Sequence, residues 1–166
     1  MGLSNLGIFH TVIGVIAIVA ALTGFIRNGK IDPGTISGKT YLFTTLITSF
    51  TALGISKHGG FNPGHMLSLL IVVLVGAAWL LHLRVKKAGK ARYFENFFLS
   101  FSFFLSMLPT VNETLTRFPV GHPLAKDISD PLIGKVLLVI LVLFVTGSIY
   151  QFGKQRKLNL LAPATT

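Results

Sequence analysis

The chain contains no cysteine and little charge. Without cysteine there is no disulfide, no thiolate metal ligand and no thiol nucleophile, and the redox compartment cannot be read from the composition. Charged residues make up 12% of the 166 positions, about half of the roughly 25% carried by soluble domains. A water-soluble fold of this length could not cover itself with so few charges, so the surrounding solvent is a bilayer. Acid is scarcer still, with five Asp and Glu against fifteen Lys and Arg. A net charge of +10 and a pI near 10.3 would suit nucleic acid. The cations, however, fall in short clusters beside apolar runs, where membrane orientation places them, and no nucleic-acid partner is expected. The first nine residues also lack Lys and Arg. The positive region of a signal peptide is therefore missing, and the run to Ile26 reads as a retained first span. No repeat of 20–50 residues is visible.

What is present is hydrophobic length. A bilayer core about 30 Å thick takes about 20 helical residues, and five segments approach that: 6–26, 40–56, 63–83, 93–111 and 131–152. The expected fold class is all-α, an integral membrane helical bundle of about five transmembrane helices forming one domain over 1–166. Asn62 before Pro63 and Asp130 before Pro131 read as N-caps followed by proline at the first helical position. Asp32-Pro33-Gly34 reads as a turn between the first two spans. Pro109 is expected to kink or end the fourth. With the amino terminus outside, eleven of the fifteen Lys and Arg lie on the inner side, from Arg27, Lys30 and Lys39 through the 84–92 cluster to Lys154, Arg156 and Lys157. The excess predicts an N-out, C-in chain.

Helix faces are patterned. His10, Gly14, Ala17, Ala21 and Gly24 recur every three or four residues, a small-residue stripe suited to close helix packing. Thr44, Thr48, Thr51 and His58 line roughly one side of the second span, and His65, Ser68, Val72, Gly76 and Trp79 one side of the third. The fourth is rich in phenylalanine but threads Ser102, Ser106, Pro109 and Glu113 along one stripe. The fifth, from Val136 to Val145, is almost featureless and is expected to pack or to face lipid. The longest loop, 112–130, has three prolines within or just beyond it and the apolar Phe118-Pro119-Val120, and is expected to form a stiff lid on the bundle.

The ionisable residues gather at one end. His58 and His65 stand seven residues apart across the glycine-rich turn between the second and third spans. His10 sits one turn inside the outer end of the first span, Glu113 follows the fourth, and His122 is in the outer loop. Only His82, beside the basic run, lies at the inner face, where it reads as an ordinary interfacial residue. Imidazole is the commonest metal ligand and a carboxylate can complete its site. His10, His58, His65 and Glu113 are therefore the candidate metal set, and His10 with His65 the candidate pair for a b-type haem. No His-x-x-x-His or Glu-x-x-His spacing supports them, and Glu113 could simply pair with Arg117 four residues on.

The segments His-Thr-Val-Ile-Gly at 10–14, Gly-Ile-Ser-Lys-His-Gly-Gly-Phe at 54–61 and Pro-Thr-Val-Asn-Glu-Thr-Leu-Thr-Arg-Phe-Pro-Val-Gly at 109–121 resemble small bacterial multi-span membrane proteins of no assigned activity. The resemblance implies a bacterial cytoplasmic membrane and brings no ligand or site residue with it. Three functions remain in view. One is a membrane protein binding zinc, copper, iron or haem at its outer face, for redox or hydrolytic chemistry. The second is an assembly or scaffold subunit of a larger membrane complex. The third is an oligomeric transporter or channel component, against which stand the absence of an inverted repeat and a membrane middle without Asp, Glu, Lys or Arg.

Overall fold

The computed structural model describes residues 4–55, 60–84 and 89–161, and within them the chain is entirely helical. Five helices follow in order: α1 (Asn5–Asn28), α2 (Ile36–Leu53), α3 (Pro63–Arg84), α4 (Ala91–Arg117) and α5 (Pro131–Leu161). All but α2 are long and apolar enough to cross a membrane. The protein is a small integral membrane protein built as a helical bundle. Each helix packs mainly on its neighbours in sequence, α1 on α2, α2 on α3, α3 on α4 and α4 on α5. On the charge argument, the turns after α1 and α3 are at the inner end.

α2 falls short on hydropathy, with its threonines among the causes, and runs alongside α1. Its first turn packs against Asp32 at the inner end through Gly38, and Thr51 meets His10 at the outer end. Three of its threonine hydroxyls are bonded within the helix: Thr44 to the Thr40 carbonyl at 2.6 Å, Thr48 to Thr44 at 2.7 Å and Thr51 to Thr48 at 2.9 Å. A hydroxyl satisfied this way leaves no unmet group for lipid to penalise.

The helix ends carry the expected signals. Asn62 Oδ1 accepts from the His65 N–H at 3.2 Å, and Asp130 Oδ1 from the Leu132 N–H at 3.0 Å. Ser4 and Thr35 cap α1 and α2. Gly29 closes α1 in the left-handed region at φ 72°, and Lys154 from α5 donates to the Asn28 carbonyl at 2.8 Å. The α1–α2 turn is fixed by Asp32, whose Oδ1 accepts from Gly34 N–H at 2.9 Å.

Two expectations about the fourth segment change. α4 does not stop near Pro109 but continues to Arg117, so Glu113 is helical and the outer loop begins at Phe118. Pro109 removes one N–H, a loss that the surrounding turns of the helix accommodate. Nor does the loop lie on the bundle as a lid. Phe118, Val120 and Leu124 are exposed, and only Ala125 is tucked in, its N–H donating to the Leu115 carbonyl at 2.9 Å. α5 is also longer than expected, at 31 residues, or about 46 Å at 1.5 Å per residue. Its last turns therefore extend past the hydrocarbon.

The core lies among α1 to α4. Ala17, Ala20, Ala21 and Gly24 are buried, and Gly14 sits so close to α2 that an added Cβ would touch the Thr48 methyl at 3.6 Å. The small-residue stripe thus does what its spacing predicts, letting two backbones approach. α5 is held differently: Phe144 meets Phe97, Phe101 and Phe104, with ring centroids 5.1–5.9 Å apart, while most of its remaining surface is exposed to lipid.

The tightest contact is at Gly38, where a Cβ would lie 1.8 Å from the Asp32 carbonyl oxygen. Backbone cannot yield as a side chain can. Gly38→Ala is expected to cost at least the ~1–3 kcal/mol of an overpacked site, read as a lowered melting temperature in detergent. Gly76→Ala, whose Cβ would meet nothing, should melt close to wild type.

Candidate functional site

Of the residues expected to form an outer-face centre, His65 and Glu113 are engaged locally and His10 is bonded across to α2. Thr51 gives its hydroxyl proton to the Thr48 carbonyl, so the 3.1 Å contact between Thr51 Oγ1 and His10 Nδ1 is a bond that His10 donates. Its Nε2 is then the nitrogen left for any other partner. The Glu113 carboxylate lies within electrostatic reach of His10 and is paired with Arg117 at 2.5 Å. His65 is buried, its ring nitrogens 3.4 Å from the Asn62 backbone N–H, the Asn62 amide and the Ile55 carbonyl. It ties the chain entering α3 to the end of α2. His58 lies outside the described residues. Among the described residues no three His, Asp or Glu side chains come together as a metal site.

The strongest polar constellation is instead at the inner end, where sequence reasoning looked past it. Glu95, in the second turn of α4, has no exposed surface. Arg92 pairs with its Oε2 from one turn earlier, and His82, in the last turn of α3, places Nδ1 3.0 Å from Oε1. The same Nδ1 lies 3.1 Å from Arg92 Nη1. One nitrogen cannot serve both partners in one protonation state. Carrying a proton, Nδ1 donates to Glu95; without one, it accepts from Arg92. The position of the imidazole proton therefore decides which neighbour His82 binds.

The surroundings hold this trio in place. Trp79 stacks on the His82 ring at 5.9 Å with an interplanar angle of 17°. The other edge of the ring faces the α1–α2 turn, where a Cβ on Gly34 would stand 3.2 Å from Asp32 Oδ1 and 3.9 Å from His82 Nε2. The His82 side chain keeps 23% of its surface, against none for Glu95. The imidazole thus stands between a buried carboxylate and the exposed surface at the end of α3.

Polar pairing continues along α4 on the side of α5. Ser100 donates to Gln151 at 2.9 Å, Asn96 lies 3.5 Å from Gln155, and Asn159 accepts from both Gln155 and the Gly89 N–H at 2.9 Å. Towards α2, Tyr41 and Ser102 are bonded at 2.8 Å, both buried. Tyr41, Thr45 and Ser49 form a buried stripe at four-residue spacing, and the Thr45 hydroxyl has no hydrogen-bond partner among the described residues. Tyr41, Thr45 and Ser49 thus make a buried polar seam along α2, joined to α4 at Ser102.

The sequence carried signals for this site. Arg92 and Glu95 are spaced i, i+3 at the start of a span, and His82 ends the previous one across a short connection. Asn96 with Ser100, and Gln151 with Gln155, are polar pairs four apart on helices that turn out to face each other. Treating the 84–92 cluster as an orientation signal alone hid Arg92, and with it the buried carboxylate.

No protein-family model matches the chain, and no curated protein or solved structure is significantly similar to it. The site's chemistry must be argued from its own atoms.

The outer loop has its own acid-sensitive brace. The Ser129 hydroxyl, then its N–H, hold the Asp127 carboxyl below the usual carboxylate range, and the Leu132 and Lys126 N–H groups do the same for Asp130. A carboxyl depressed in the fold contributes stability above its unfolded value, about 3.9. That contribution is lost as pH falls through the lower folded value. Hydrogen exchange should find the Ser129, Leu132 and Lys126 amides protected at neutral pH and progressively exposed below about pH 4. Asp127→Asn with Asp130→Asn should remove this acid dependence while leaving the bundle folded.

Proposed function

We propose that the protein is a proton-exchanging membrane protein whose working centre is Glu95, His82 and Arg92 at the inner end of the bundle. The carrying observation is the fully buried Glu95 carboxylate, joined through His82 to the exposed surface at the end of α3. An ionisable residue inside a membrane bundle is costly, and its presence marks a functional site by default. Here the two nitrogens of one imidazole face different environments. A proton arriving at Nε2 converts the Nδ1–H imidazole, bonded to Glu95, to imidazolium, and its loss from Nε2 restores that tautomer; only the Nε2–H tautomer lets Nδ1 accept from Arg92. Arg92 keeps the carboxylate compensated in either state, so the exchange never leaves an isolated buried charge. The polar seam along Tyr41, Ser102, Thr45 and Ser49 supports coupling of this centre to the outer half. Transport driven by or gated by protons is the function class this arrangement suits. A metal or haem centre at His10, His58, His65 and Glu113 gains no support from the geometry, because His65 is committed to its loop and Glu113 to Arg117.

Trp79 is the sole tryptophan and stacks on His82, so its fluorescence reports that ring. Protonated imidazole quenches indole, so acid should dim the wild-type emission and leave that of His82→Gln unchanged. In liposomes carrying a pH-sensitive dye, an imposed proton gradient should decay faster with wild type than with Glu95→Gln. A Trp79 response to acid unchanged by His82→Gln, with equal gradient decay, would overturn the proposal.

A further inference from the structure

At the inner end, α4 and α5 leave an open groove of about 590 Å³ lined by Lys90, Tyr93, Phe94, Phe152, Gly153 and Arg156. Tyr93 and Phe152 stack at 5.2 Å to make its floor, and Phe94 is exposed beside them. Gly153 borders open space, where a Cβ would meet nothing within 4 Å. At the rim are two cations, and neither pairs with a carboxylate among the described residues. The two acidic residues of the inner half, Asp32 and Glu95, are already committed to Lys30 and to Arg92 with His82.

We infer that this groove is a binding site for an anionic phospholipid of the inner leaflet. Two uncompensated cations call for a negative partner, and the aromatic floor between them calls for hydrocarbon. Of the molecules meeting the bundle at this depth, an anionic lipid has both parts: its phosphate lies between Lys90 and Arg156, and an acyl chain runs along Phe94 and Phe152. Basic pockets between helices on the inner side of a membrane recognise headgroups in this way, and the volume lies in the range of small-molecule sites, about 300–1,000 Å³. The inference is independent of the proton-exchange proposal, since it uses no residue of the Glu95 cluster.

Native mass spectrometry of the detergent-solubilised protein, titrated with phosphatidylglycerol or phosphatidylcholine, tests it. Wild type should retain phosphatidylglycerol at least about fivefold more than phosphatidylcholine, a difference of about 1 kcal/mol. Lys90→Ala with Arg156→Ala should lose that preference, and Gly153→Phe, which fills the groove, should weaken retention of the lipid as a whole. Arg27→Ala with Lys39→Ala removes the same charge from exposed positions outside the groove and should keep the preference. Excess inorganic phosphate should not displace the lipid. Equal retention of both lipids by wild type would overturn the inference, as would equal losses in the two double variants or displacement by phosphate alone.

Discussion

The inner half of this bundle depends on the burial of one carboxylate. Glu95 has no exposed surface in a molecule surrounded by hydrocarbon, and an uncompensated charge there would cost several kcal/mol. Its neighbours answer that constraint. Arg92 lies one turn back on the same helix, and His82 ends the preceding helix so that both reach the carboxylate. The α1–α2 turn closes over His82, and Gly38 allows α2 to start directly against that turn. On the far side, α5 supplies amides to Asn96 and Ser100, and Lys154 to the end of α1. Four of the five helices and one turn thus converge on the region of Glu95.

The two ends of the bundle are built on different principles. At the inner end, side chains from separate helices bond one another, and the contacts span tens of residues in sequence. At the outer end, most polar groups bond locally: Glu113 to Arg117, His65 to Asn62, Asp127 to Ser129. His10 with Thr51 is the exception, joining α1 to α2. Among the described residues the outer histidines are thus engaged one by one, whereas scattered polar residues at the other end share partners.

Much of the architecture was legible because bilayer thickness and hydrophobic length leave few choices. Asn62-Pro63, Asp130-Pro131 and Asp32-Pro33-Gly34 marked element boundaries through chemistry that acts within a few residues. The stripe at Gly14, Ala17, Ala21 and Gly24 was readable because its meaning depends only on helical periodicity. Pro109 left a kink or an end open, and the helix does not end there, because its missing N–H does not outweigh continued burial of Val111 and pairing of Glu113 with Arg117. Glu95 was missed for a tertiary reason. Whether a glutamate near a helix start faces water or protein depends on what the next helices bring to it, and α5 runs further than its hydrophobic stretch alone indicates.

The most direct test of the buried pair is a double-mutant cycle on the full-length protein in detergent, comparing Arg92→Met, Glu95→Gln and the two together by equilibrium unfolding. Arg92→Met should cost about 3–5 kcal/mol by stranding the carboxylate. Adding Glu95→Gln should recover part of that loss, with a coupling of at least about 1 kcal/mol. Strictly additive losses would mean that the two side chains do not depend on each other, and the account of the inner end would fail with them.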